Sequence, residues 1–64
     1  MNNLKILREN AGLSQGKLSE LSGISVRTIQ HYEQGSRDIN KAQGITLLTL
    51  ANFLNCTIED LLEK

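Results

Sequence analysis

Sixty-four residues at 7.1 kDa leave room for one domain and no second core, since a chain this short buries only about 60% of its unfolded surface. No proline, five glycines and 39% hydrophobic residues mark a globular chain, while the single cysteine excludes a disulfide framework and a multi-cysteine zinc site. Seven basic and seven acidic side chains give zero net charge, without the basic footprint that phosphate binding usually leaves.

The periodicity is helical throughout, and no stretch alternates long enough for a strand. Leu4, Leu7 and Ala11 predict a first helix that Gly12 stops. Ser14 then caps a second, with Leu13 before it and Leu18 inside it placed as a hydrophobic staple. This helix is expected to bury Leu18 and Leu21 and to end at Gly23. The device repeats at once. Ser25 caps a third helix, Ile24 and Ile29 take the staple positions, Ile29 and Tyr32 face the core, and Gly35 ends it.

A loop of Ser36, Arg37, Asp38 and Ile39 follows. Asn40 is the expected cap of a fourth helix, the most apolar of all through Ile45, Leu47, Leu48, Leu50, Ala51 and Leu54. Gly44 in its first turns weakens it by roughly 1 kcal/mol relative to Ala. Thr57 and Asp60 read as a capping box for a fifth helix, with Cys56 and Leu61 as staple and Ile58, Leu61 and Leu62 as its apolar side. The leucines and isoleucines are expected in the core. Ile6 and Ile58 are set apart as a candidate dimer seam on the surface.

Catalysis finds little support. His31 and Cys56 are single side chains of their types, whereas a nucleophile needs a positioned base and a hydrolytic metal about three protein ligands. Nothing in the spacing of His31, Glu33 and Asp38 favours a metal, and Cys56 reads as a core residue rather than a redox sensor. No enzymatic activity, cofactor or metal is expected. Two aromatic residues are too few for a single-strand stacking platform. The longest apolar run is two residues, so no segment spans a membrane or resembles a secretory signal, and a soluble, cytoplasmic domain is expected.

The second and third helices carry the informative pattern. Counting Gln15 as first, a small Ser19 falls fifth, Gly23 ninth, Ile24 tenth, Ile29 fifteenth and Tyr32 eighteenth. Two short helices crossing steeply through a turn of about three residues is the unit whose second helix can enter a major groove. With L-R-E-N-A-G-L-S-Q (7–15), G-I-S-V-R-T-I-Q-H-Y-E-Q-G (23–35) and L-A-N-F-L-N-C-T-I-E-D-L-L (50–62), the chain resembles the lambda-repressor-like family, which includes phage repressors, Cro and XRE-type regulators. The resemblance runs from Leu4 to Leu62 and implies a compact all-α domain of five helices over residues 1–64, with a helix-turn-helix from helices 2 and 3.

It also implies sequence-specific binding of a double-stranded DNA operator by a homodimer, in transcriptional control and most simply in repression. Gln15 sits where the family contacts a phosphate, and a helix start suits an anion on its own account. Val26, Arg27 and His31 fall at the family's base-reading places, with Ser25 and Thr28 as further base or backbone contacts. Arg27 matches the bidentate pattern of guanine O6 and N7, and Val26 a thymine methyl. Ser36, Arg37 and Lys17 are phosphate candidates, and Gln30 borders the reading face. Arg8 and Glu33 resemble a structural pair tying the first helix to the third.

The sequence departs from the family pattern in places. Ser22 replaces a usual hydrophobic residue, which assigns more packing to Leu21, and Gly16 replaces a helix former. The stretch from Arg37 to Gly44 is about three residues longer than in many relatives, lacks their proline, and carries Asp38, which would repel phosphate. The alternative reading is a protein-interaction module of the same fold, an antitoxin-like or adaptor domain. Zero net charge favours that reading, and the polar third helix opposes it.

Overall fold

Caps divide the chain before packing does. The computed structural model describes residues 3–63 and contains α1 (Asn3–Asn10), α2 (Gln15–Ser22), α3 (Val26–Gln34), α4 (Gly44–Leu54) and α5 (Ile58–Leu61). A single 3-10 turn, Ile39–Lys41, lies between α3 and α4, and there is no strand among the described residues. Ser14 Oγ accepts from the Lys17 N–H at 3.0 Å and Ser25 Oγ from the Thr28 N–H at 3.1 Å. The Thr57–Asp60 box is reciprocal, with both bonds at 3.1 Å. Each such cap stabilises its helix by about 1 kcal/mol. Gly23 then turns left-handed at φ +75°, and its N–H reaches back to Ser19 O at 2.9 Å. A side chain there would strain the backbone, so the residue that ends α2 also aims the chain into α3.

The core holds Leu4, Leu18, Ile29, Tyr32, Ile39, Leu47, Leu50, Ala51, Leu54 and Leu61. Leu7, Leu13, Ile24, Cys56, Ile58 and Leu62 pack half-buried around it. α2 rests on α3 and α4, α1 on α3 and α5, and α4 on α5. The body measures 25 × 22 × 22 Å, and several large apolar side chains stay outside its core.

That geometry corrects several expectations. Leu21 is 41% exposed and takes over no packing from Ser22, which is itself half-buried with its Oγ accepting from the Ile24 N–H. Ala11 is exposed beyond the end of α1. On α4, Leu47, Leu50, Ala51 and Leu54 share the inner side, whereas Ile45, Leu48 and Phe53 face outward. Ile6 is exposed as expected, while Ile58 packs half-buried against the core. Asn40 does not cap α4. Asp38 captures the Asn40 N–H at 2.9 Å and opens the 3-10 turn instead, a local competition at which Asp excels. α4 therefore begins at Gly44, after Gln43, with no side-chain cap bond.

One helix supplies its own control. Leu50 is fully enclosed at 0% exposure and Ile45 stands at 68%. Leu50→Ala is predicted to cost about 2–5 kcal/mol and Ile45→Ala less than about 0.5 kcal/mol. Urea unfolding at constant m value measures both.

Candidate nucleic-acid interface

The site is built outward from a buried ion pair. Arg8 on α1 points its guanidinium at Glu33 on α3, Nε donating to Oε2 at 2.7 Å and Nη2 to Oε1 at 3.1 Å. Its Nη1 donates to the Leu13 carbonyl at 2.8 Å, fastening the α1–α2 turn. The two side chains are only 11% and 4% exposed. The Glu33 hydrogen bond raises the Arg8 pKa above its ordinary value against the opposing effect of burial. Sequence reading matched these two residues, and the structure joins them.

Glu33 also accepts from Gln15 Nε2 at 3.1 Å, and Gln15 Oε1 accepts from Gln30 Nε2 at 3.3 Å. A carboxylate only accepts, so the direction of donation runs Gln30 to Gln15 to Glu33. Gln15 is thus half-buried and tied to α3 rather than extended alone at the helix start. This network, spanning 15 to 18 residues of sequence, is invisible to local pattern.

With Ile29 and Tyr32 buried and Glu33 paired, α3 presents its opposite side outward. Ser25, Arg27, Thr28, His31, Ser36 and Arg37 line one open groove of about 410 Å³. Six of the nine predicted contact residues therefore meet in one place, and no carboxylate is among the lining residues. Ser25 Oγ donates to Thr28 Oγ1 at 2.8 Å, linking the two hydroxyls at the start of α3. Arg37 is held by its backbone, N–H to His31 O at 3.2 Å, and its guanidinium lies 5.9 Å above the Tyr32 ring. Asp38 does not line the groove, because its carboxylate caps the 3-10 turn.

The other three lie elsewhere. Val26 is half-buried at the start of α3, and Gln15 sits in the network just described. Lys17 is exposed on α2 and pairs with Glu20 at 3.7 Å. One residue escaped sequence reading. Tyr32 was read as core alone, yet its ring also seats Arg37.

Cys56 is half-buried against the core, and burial first, then the Asp60 charge, pushes its thiol pKa up. Among the described residues no three His, Cys, Asp or Glu side chains group as metal ligands, and no helix is long and apolar enough to cross a membrane.

A family model described as helix-turn-helix matches residues 4–61, nearly the whole chain. No curated protein and no solved structure matches significantly. The family match and the observed helices therefore stand together as the basis for assignment.

The ion pair sets a measurable contrast. Arg8→Met is predicted to leave Glu33 buried without its partner charge and to cost about 3–5 kcal/mol, whereas Arg8→Met with Glu33→Leu is predicted to recover most of that loss. Urea denaturation of the single and double variants checks this, and equal losses in both would contradict it.

Proposed function

The chain belongs to the lambda-repressor-like, XRE-type helix-turn-helix family of DNA-binding regulators, and from that premise we propose that it reads an operator in double-stranded DNA by laying α3 in the major groove. The observation that supports this most is the shared groove: two guanidinium groups, an imidazole and three hydroxyls converge there without a carboxylate among the lining residues.

Arg27 and His31, one turn apart, are the proposed base readers, with Val26 and Ser25 ahead of them at the helix start. A guanidinium matches guanine O6 and N7 bidentately, and the Val26 methyls suit a thymine methyl. Thr28, Ser36, Arg37, Gln15 and Lys17 are assigned to phosphates, which fix register without reading sequence. Lys17 would exchange its weak surface pair with Glu20 for a phosphate. One recognition helix covers only a few base pairs, so useful specificity calls for a homodimer on half-sites about one DNA turn apart. The output proposed is repression, through occupation of the operator. The zero net charge favours the rival reading, a protein-interaction module of the same fold.

Selection of bound duplexes from a random DNA library at moderate salt separates the two readings. The proposal predicts an enriched motif with paired half-sites and affinity that falls steeply with salt. No enrichment, or affinity indifferent to salt, would favour the protein-binding alternative. Against the selected site, Arg27→Ala is predicted to lose about 1–3 kcal/mol and to relax one base position. An unchanged preference in that variant would remove Arg27 from the reading face.

A further inference from the structure

The long, proline-free connection between α3 and α4 needs something to hold it. Its Ile39 is buried, but Ser36, Arg37, Asp38, Asn40 and Lys41 are all exposed. The restraint comes from the far end of the chain. Asn40 Nδ2 donates to the Glu63 carbonyl while Asn40 Oδ1 accepts from the Glu63 N–H at 2.8 Å. One carboxamide thereby pairs with both backbone groups of one residue, as a neighbouring strand would. On the other side of the same tail, Asn3 Nδ2 donates to the Leu62 carbonyl at 2.8 Å. Leu62 is extended at φ −70° and ψ 141°, so the segment runs as a short strap rather than a helix.

Glu63 of the strap lies close to the groove, across Arg37. Glu63, Arg37, Asp38, Ile39 and Tyr32 line a neighbouring hollow of about 330 Å³. The loop is thus fixed at both its ends: Arg37 N–H on His31 O, and the turn from Asp38 to Ala42 closed by its own bonds, by Ile39 burial and by Asn40. Arg37 sits at the joint between these anchors.

We infer that the clasp of Asn40 on the Glu63 backbone is a positioning device that sets Ser36 and Arg37 at the geometry needed for the DNA phosphates. This rests on the DNA-binding reading above. Asn40 touches no nucleic acid in this account. It acts through the loop, and the tail of the chain becomes part of the interface without facing it.

Asn40→Ala keeps Ile39 and the core intact and removes the clasp. Asn3→Ala is the control, since it loosens the same tail from the α1 side and leaves the loop's own bonds in place. Two measurements on the full chain decide the matter. Amide hydrogen exchange without DNA is expected to quicken at Lys41, Ala42 and Glu63 in Asn40→Ala, while α2 amides stay as in the parent. Operator binding over a salt series is expected to weaken roughly five- to tenfold in Asn40→Ala with the slope shallower by about 0.9, the loss of one phosphate contact. Asn3→Ala is expected to keep the parent slope. Unchanged exchange in Asn40→Ala overturns the clasp itself. Faster exchange with an unchanged slope, or the same slope change in Asn3→Ala, overturns the positioning role. A parent protein that binds no DNA defeats the DNA reading and the positioning role with it, while the exchange result still decides whether tail and loop are coupled.

Discussion

A glutamate that is 96% enclosed must be paired, and the rest of this small fold follows from how Glu33 meets that demand. Arg8 brings α1 and the Leu13 turn to it, and Gln15 brings the start of α2. Three elements distant in sequence are thereby referenced to one carboxylate on α3. A purely apolar core tolerates small rotations of short helices. A bidentate pair with directional bonds does not. Glu33, Ile29 and Tyr32 are all turned inward on α3, and the side chains opposite them are left facing outward.

The same economy of acids explains how a chain of zero net charge presents a groove without carboxylates. Glu33 is inside, paired with Arg8. Glu20 lies along α2 beside Lys17, and Asp38 and Asp60 are turned toward backbone N–H groups as caps. Four of the seven acidic side chains are thus occupied by structure, while Arg27, His31 and Arg37 converge on the groove. Net charge is a poor guide here because it counts groups without regard to direction, and a domain this small has helix caps enough to absorb several carboxylates.

What the sequence discloses and what it hides divide along contact range. The caps at Ser14, Ser25 and Thr57 and the stops at Gly12, Gly23 and Gly35 rest on bonds spanning three or four residues, so local pattern suffices to place them. Arg8 and Glu33 are 25 residues apart and were legible only through the family resemblance. Asn40 was misread because its partner, Glu63, lies 23 residues away, while Asp38 two residues before it outcompeted it for the turn. Leu21 was assigned to the core beside Leu18 on the second helix, and Ile45 and Leu48 as part of the most apolar helix, and neither pattern says whether another helix covers a given side. Of the proposed contact residues, the six in the groove were named from the family resemblance, with helical spacing agreeing for Arg27 and His31. The tethering of Gln15 by Glu33 and Gln30 was not foreseen, since nothing local signals it.

The outward side of α3, with the loop that follows it, is the surface we propose to meet DNA. Titrating the isotopically labelled protein with its selected duplex and following backbone amide signals tests that surface directly. The account predicts that the shifts concentrate at residues 25–31 and 36–37 and at the start of α2, with α5 and the outer side of α4 nearly silent. Shifts gathered instead around Ile45, Leu48 and Phe53, with α3 unmoved, would contradict it.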